Sequence, residues 1–221
     1  MEKQISMENL NQSKSLNSTT HPLGMQLCMI VQADVLALFF RLLSQGFAVT
    51  VQPGCSIRDL LCLQLGIREE YLDERIQTIF LNGNAVDDVD STIVENDAIL
   101  ALSGAMPGLA GATLRKGGIL ATMRNSISHK NDMASTPHTG KTVIIKFFNL
   151  VTKDLGPSFI QQGVWLRAKQ LHDFVASNLE ILERGCKSAK LDGQDIKVNQ
   201  ILGIDFGDNL VNLKLKTESK S

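Results

Sequence analysis

Apolar and polar residues alternate over some stretches of this chain and recur at helical spacing over others, and the two periods predict its elements. Residues 35–41, with Val35, Phe39 and Phe40, read as a strand. Ser44, Gln45 and Gly46 read as a turn, and residues 47–51 alternate as a second strand that closes a hairpin. Residues 25–31 either extend the first strand or add another. Pro53-Gly54 ends the hairpin. Ser56, followed three residues later by Asp59, has the form of a capping box, and Ile57, Leu60, Leu61 and Leu65 follow at helical spacing. A helix over residues 57–65 is expected, stopping at Gly66, with its leucine face on the sheet. Residues 77–81 are a strand, and Asn82-Gly83 is a tight turn because both residues tolerate positive φ. A short return begins at Ala85, residues 95–97 turn, and residues 98–102 form the next strand, giving the order β-β-α-β-(β)-β.

The second half repeats the order. Residues 143–148 are a strand, residues 153–157 a turn, residues 158–161 a return, and Leu166, Leu171, Phe174 and Val175 mark a helix from 164 to 177. Residues 188–191 are a strand, Asp192-Gly193 a hairpin turn and residues 210–215 a last strand. Phe39-Phe40 lies 108 residues before Phe147-Phe148, Gly54 lies 109 before Gly163, Leu81-Asn82-Gly83 lies 110 before Leu191-Asp192-Gly193, and Asn96-Asp97 lies 111 before Gly207-Asp208. Offsets that drift one residue at a time are what loop changes in a duplicated unit produce. The expected organisation is a disordered N-terminal tail over 1–24, a first domain over 25–118, a linker over 119–141 and a second domain over 142–217. Each core is near the lower size limit for independent stability, so the two are expected to lean on each other or on a second chain.

Composition narrows the classes. The chain has 221 residues, 43% of them hydrophobic, which is enough for a packed core. With 22 Lys and Arg against 23 Asp and Glu, no broad basic field attracts nucleic acid, and no nucleic-acid partner is expected. The polar first 22 residues lack the apolar core of a signal peptide. Residues 23–43 are interrupted by Gln26, Gln32, Asp34 and Arg41, so core strands rather than a membrane span are expected there, in a cytoplasmic protein. Four cysteines and four scattered histidines have no metal-ligand spacing, and neither a metal nor a cofactor is expected.

The sequence Ile79-Phe-Leu-Asn-Gly-Asn-Ala-Val86, followed by Val94-Glu-Asn-Asp-Ala-Ile-Leu-Ala-Leu102, resembles the second half of small sulfur-carrier proteins of the ThiS/MoaD-like, ubiquitin-like family. The resemblance covers Val35 to Gly118 and extends more weakly over Thr142 to Leu215. It implies an α+β fold of two tandem β-grasp domains, each a mixed sheet packed on one helix. In that family a C-terminal diglycine is adenylated by a partner and then carries sulfur. Here Ala112-Thr-Leu-Arg-Lys-Gly-Gly118 is similar to such a tail, but Gly118 is followed by 103 more residues. Its carbonyl is an amide with no free carboxylate to activate.

Two functions follow. Both halves serve as non-enzymatic interaction or assembly modules that keep the fold without the chemistry. Alternatively, proteolysis exposes Gly117-Gly118 and an E1-like adenylating enzyme activates it, with Arg115, Lys116 and Leu109 docking that partner. The apolar, glycine-bearing Met106 to Gly111 stretch and unprotected sheet edges also suit a homo-oligomer. Cys55 and Cys62 read as a turn residue and a small buried residue before they read as a redox pair. The run Asp87, Asp88 and Asp90 reads as a solvated loop.

Overall fold

The computed structural model describes residues 24–121, 142–207 and 209–218. The first half runs β1 (Gln26–Val31), α1 (Ala33–Leu36), a 3-10 turn over Ala37–Phe39, α2 (Phe40–Gln45), β2 (Phe47–Thr50) and β3 (Cys55–Ser56). A π-helical segment over Asp59–Gln64 and α3 (Glu69–Glu74) follow, then β4 (Thr78–Leu81), β5 (Asn84–Ala85), β6 (Ile93–Val94), β7 (Ile99–Ser103) and α4 (Gly108–Leu114). The second half runs β8 (Thr142–Phe148), α5 (Asn149–Gln162), β9 (Val164–Arg167), α6 (Ala168–Gly185), β10 (Cys186–Leu191), β11 (Gln194–Ile196), a 3-10 segment over Val198–Gly203 and β12 (Leu210–Thr217). The class is α+β, with a large mixed sheet. No described helix is long and apolar enough to cross a membrane.

Ten strands lie in one sheet, in the order β11-β10-β1-β12-β9-β2-β8-β7-β4-β5, and β3 pairs with β6 apart from it. The sequence halves interleave. β8 sits between β2 and β7, parallel to β7 with Leu100 opposite Ile145. β1 sits between β10 and β12, parallel to β12 with Leu27 opposite Leu213. Outward from the junction, β2-β8-β7-β4-β5 and β9-β12-β1-β10-β11 show the same succession of antiparallel, parallel, antiparallel and antiparallel pairs. They meet at one antiparallel bridge, Ala48 opposite Trp165.

Alternation along the strands sends Phe47, Val49, Val143, Ile145, Phe147, Val164, Leu166, Leu213 and Leu215 into one continuous core. Helices cover this side. Phe159 of α5 meets Phe147 edge-on at 4.9 Å, and Phe39 meets Phe174 of α6 at 4.8 Å.

Several local expectations give way here. Residues 35–41 are helical, because Val35, Phe39, Leu42 and Leu43 are buried at helical spacing, and Leu and Ala are better helix formers than the aromatic content suggests. No hairpin therefore joins residues 35–41 to 47–51, and the first strand is residues 26–31. The turn and return expected over 153–161 are both inside α5. Val151, Thr152, Phe159 and Ile160 form its buried stripe, and Lys153, whose carbonyl finds no N–H at Pro157, lies on the exposed side of the helix. The helix expected from 164 begins at Ala168, after a strand. Phe39-Phe40 is helical whereas Phe147-Phe148 is in β8, so that pair does not align equivalent elements. The helix after Ser56 is present, with the Asp59 N–H donating to Ser56 Oγ at 3.1 Å. Both turns, Asn82-Gly83 and Asp192-Gly193, have positive φ at each residue. Residues 1–23 of the expected tail and residues 122–141 of the expected linker lie outside the described residues.

Candidate functional site

The segment that resembles a carrier tail is folded onto the body. Pro107 leads into α4 in an extended conformation. Gly111 is required by contact: a Cβ there would lie 2.0 Å from the Met106 carbonyl oxygen, so no other residue lets the chain cross itself at that point. The glycine-bearing stretch expected to cover the sheet or form a contact patch is thus an irregular lead-in over Met106 and Pro107 followed by the first residues of α4. Leu109 stands 71% exposed on it.

Beyond α4, residues 115–118 are each fastened. The Arg115 guanidinium Nε donates to Gln77 Oε1 at 2.6 Å. The Lys116 backbone N–H donates to the Gln77 carbonyl at 2.7 Å, and its Nζ donates to the Leu72 carbonyl at 2.9 Å. Gly117, in the left-handed region at φ 61°, donates its N–H to Asp87 Oδ1 at 3.0 Å. The Gly118 N–H donates to the Arg115 carbonyl at 3.0 Å, and the Gly118 carbonyl accepts from Ala121 at 2.9 Å. Gly117 and Gly118 therefore form a turn in which both N–H groups and the Gly118 carbonyl are hydrogen-bonded, beside a cleft of about 580 Å³ lined by Thr78, Met106 and Ala112. Arg115 and Lys116 hold this segment to the body; Leu109 alone of the expected docking residues projects without a described polar tie.

The acidic run divides its work. Asp87 receives Gly117. Asp88 closes its own loop by accepting from Asp90 N–H, Ser91 N–H and Ser91 Oγ, and these bonds, the Ser91 hydroxyl foremost, hold its carboxyl below the usual range. Asp90 pairs with Arg58, which also pairs with Asp73 at 3.0 Å. The Arg58 guanidinium lowers the Asp73 pKa and is itself held more firmly charged by Asp90 and Asp73. Burial lowers the Lys116 pKa against the opposing pull of Asp73. Composition exposed the charges but not the pairing, because Arg58, Asp73 and Asp90 come from three separate segments.

All four cysteines are free thiols. Cys55 Sγ lies 3.4 Å from the Gln52 carbonyl and 3.2 Å from Gln64 Nε2, inside a clamp in which Gln64 also bonds both backbone polar groups of Gln52. Burial pushes the thiols of Cys62 and Cys186 up, away from the thiolate that nucleophilic chemistry needs. Among the described residues no group of three or more His, Cys, Asp or Glu is arranged to hold a metal ion.

No family model, curated protein or solved structure matches this chain.

Proposed function

We propose that this chain is a non-enzymatic interaction or assembly module, built from two β-grasp-like units of the kind used by sulfur carriers and no longer performing carrier chemistry. One observation carries the reading: Gly117-Gly118 is a hydrogen-bonded turn between Asp87 and Ala121 rather than a thin free tip. A carrier tip has to enter an adenylating site as an extended strand and present a terminal carboxylate. This turn would have to lose its bonds to Asp87 and Ala121, and its peptide bond after Gly118 would have to be cut. The mixed sheet running unbroken through both halves supports a scaffold role, since it fixes the two units as one surface.

The test is the intact mass of the protein taken from its source cells. Full-length chain alone is the expected result. A species ending at Gly118, above all one with sulfur in place of a terminal carboxylate oxygen, would replace this reading with the processed carrier and its E1-like partner.

A further inference from the structure

The charges of the ten-stranded sheet are segregated. Its strands contain Lys146, Arg167, Lys187, Lys190, Lys214 and Lys216, and a single acid, Asp195, although the whole chain has a net charge of −1. Asp195 pairs with Lys190, and Lys187 pairs with Glu218. Lys146, Arg167, Lys214 and Lys216 make no ion pair among the described residues, and strand alternation places all four on the face opposite the helices.

This face has a built centre. Register aligns Ile99, Ile144, Ala48, Trp165 and Asn212 in one row across the junction of the half-sheets. On either side of that row a lysine lies over a glycine. Lys146 crosses Gly46, whose added Cβ would stand 3.3 Å from Lys146 Cε, and Lys214 crosses Gly163, where the same distance is 2.8 Å. Gly46 and Gly163 have matching backbones, φ 117° and ψ 142° against φ 114° and ψ 131°. The two lysine stems are thereby laid along the sheet, on opposite sides of Ile144, Ala48 and Trp165. A cleft of about 330 Å³ opens at the junction between Lys146, Trp165 and Arg167; the acid on its rim, Asp173, is already paired with Lys169 at 2.6 Å.

Resting on the interaction reading above, we infer that this junction face binds an extended acidic peptide segment of a protein partner. Apolar side chains of the segment seat against Ile144 and Trp165, and its carboxylates meet Lys146, Arg167 and Lys214. The ring spacing favours a peptide over single-stranded nucleic acid. Strands lie about 4.8 Å apart and residues about 3.3 Å apart along a strand, so Phe80 on β4, four strands from Trp165, is roughly 19 Å away, and Phe148 on β8, two strands and four residues from the Trp165 row, is roughly 16 Å away, too far for successive bases to stack on Trp165 and either ring.

Trp165 is the only tryptophan in the chain, so its fluorescence reports the site directly. The full chain is titrated with a short synthetic peptide alternating Glu and Val, with the same peptide carrying Gln for Glu, and with oligothymidylate. The expected result is a saturable change with the Glu peptide, weakened by added salt. Joint Lys146→Glu and Arg167→Glu substitution should weaken it by about tenfold or more, the neutral Lys146→Gln and Arg167→Gln pair less, and Lys153→Glu on the exposed side of α5 not at all. Absence of a saturable change, equal binding of the Gln peptide, equal loss in Lys153→Glu, or tighter binding of oligothymidylate would each overturn the inference. The two readings fail separately: a failed titration with an uncut cellular chain removes the acidic partner only, whereas a chain cut at Gly118 removes the interaction reading itself.

Discussion

Gly163 shows how one residue ties a helix end to the sheet. It leaves α5 at φ 114°, in a region that favours glycine, and its missing Cβ makes room for Asn212 Oδ1 and Lys214 Cε, each 2.8 Å from where the Cβ would be. Gly163→Ala combines backbone strain with overpacking against β12, so its expected cost is about 1–3 kcal/mol, read from chemical denaturation. An unchanged midpoint would mean that β12 yields without penalty. A second residue-scale prediction concerns Asp73. Its carboxyl is held below the ordinary value of 3.8 chiefly by the hydrogen bond from Arg58. A depressed carboxylate contributes stability above the unfolded pKa and loses it as pH falls through the folded pKa. The stability gap between the natural chain and Asp73→Asn should therefore be largest near neutral pH and close in acid. The Asp73 side chain is half-exposed, so solvent screening keeps the gap below about 1 kcal/mol. A gap that widens in acid would show that the pair is not the cause.

Elements were legible where their signals are local. The helix after Ser56 is announced by its own cap, and the hydroxyl does accept the Asp59 N–H. Ser56→Ala should cost about 1 kcal/mol by thermal or urea unfolding, since Ser56 is buried and the donor is left without its acceptor. The turn at Asn82-Gly83 was equally plain, because a positive φ demands those residue types. The helices over 33–45 and 149–162 were not. In the first, aromatic residues chosen for a tertiary contact, Phe39 against Phe174, mimic strand composition. In the second, Pro157 signals a break that the solvated Lys153 side of α5 absorbs. Of the expected repeat anchors, Phe39-Phe40 and Gly54 do not meet their counterparts: Gly163 matches Gly46 instead of Gly54, and the structure aligns Gln45-Gly46-Phe47 with Gln162-Gly163-Val164, an offset of 117. Three residues are a faint signal until their matching backbones are seen. The candidate tail failed to read as a turn for a related reason: the partners that fasten Lys116 and Gly117 are Leu72, Gln77 and Asp87, all distant in sequence.

At the scale of the whole molecule, the placement of β1 and β8 decides how the halves depend on each other. Each is an interior strand of a half-sheet whose remaining strands come from the other part of the chain. A fragment ending near residue 121 keeps β2 and β7 but lacks β8 between them, so two rows of backbone donors and acceptors lose their partners. It also loses the burial of Val143, Ile145 and Phe147, each fully buried in the intact chain. A fragment beginning near residue 142 keeps β10 and β12 but lacks β1, with Leu27, Met29 and Val31. Neither loss is local to a loop; each opens the middle of a sheet. The two fragments made separately should therefore show no cooperative unfolding transition, and mixed or made together they should form a one-to-one complex that does. Size-exclusion chromatography with denaturant titration checks both parts. A first fragment that unfolds cooperatively by itself as a monomer would mean that β1 takes the place of β8 within its own half, and the reciprocal placement of the two strands would have to be abandoned.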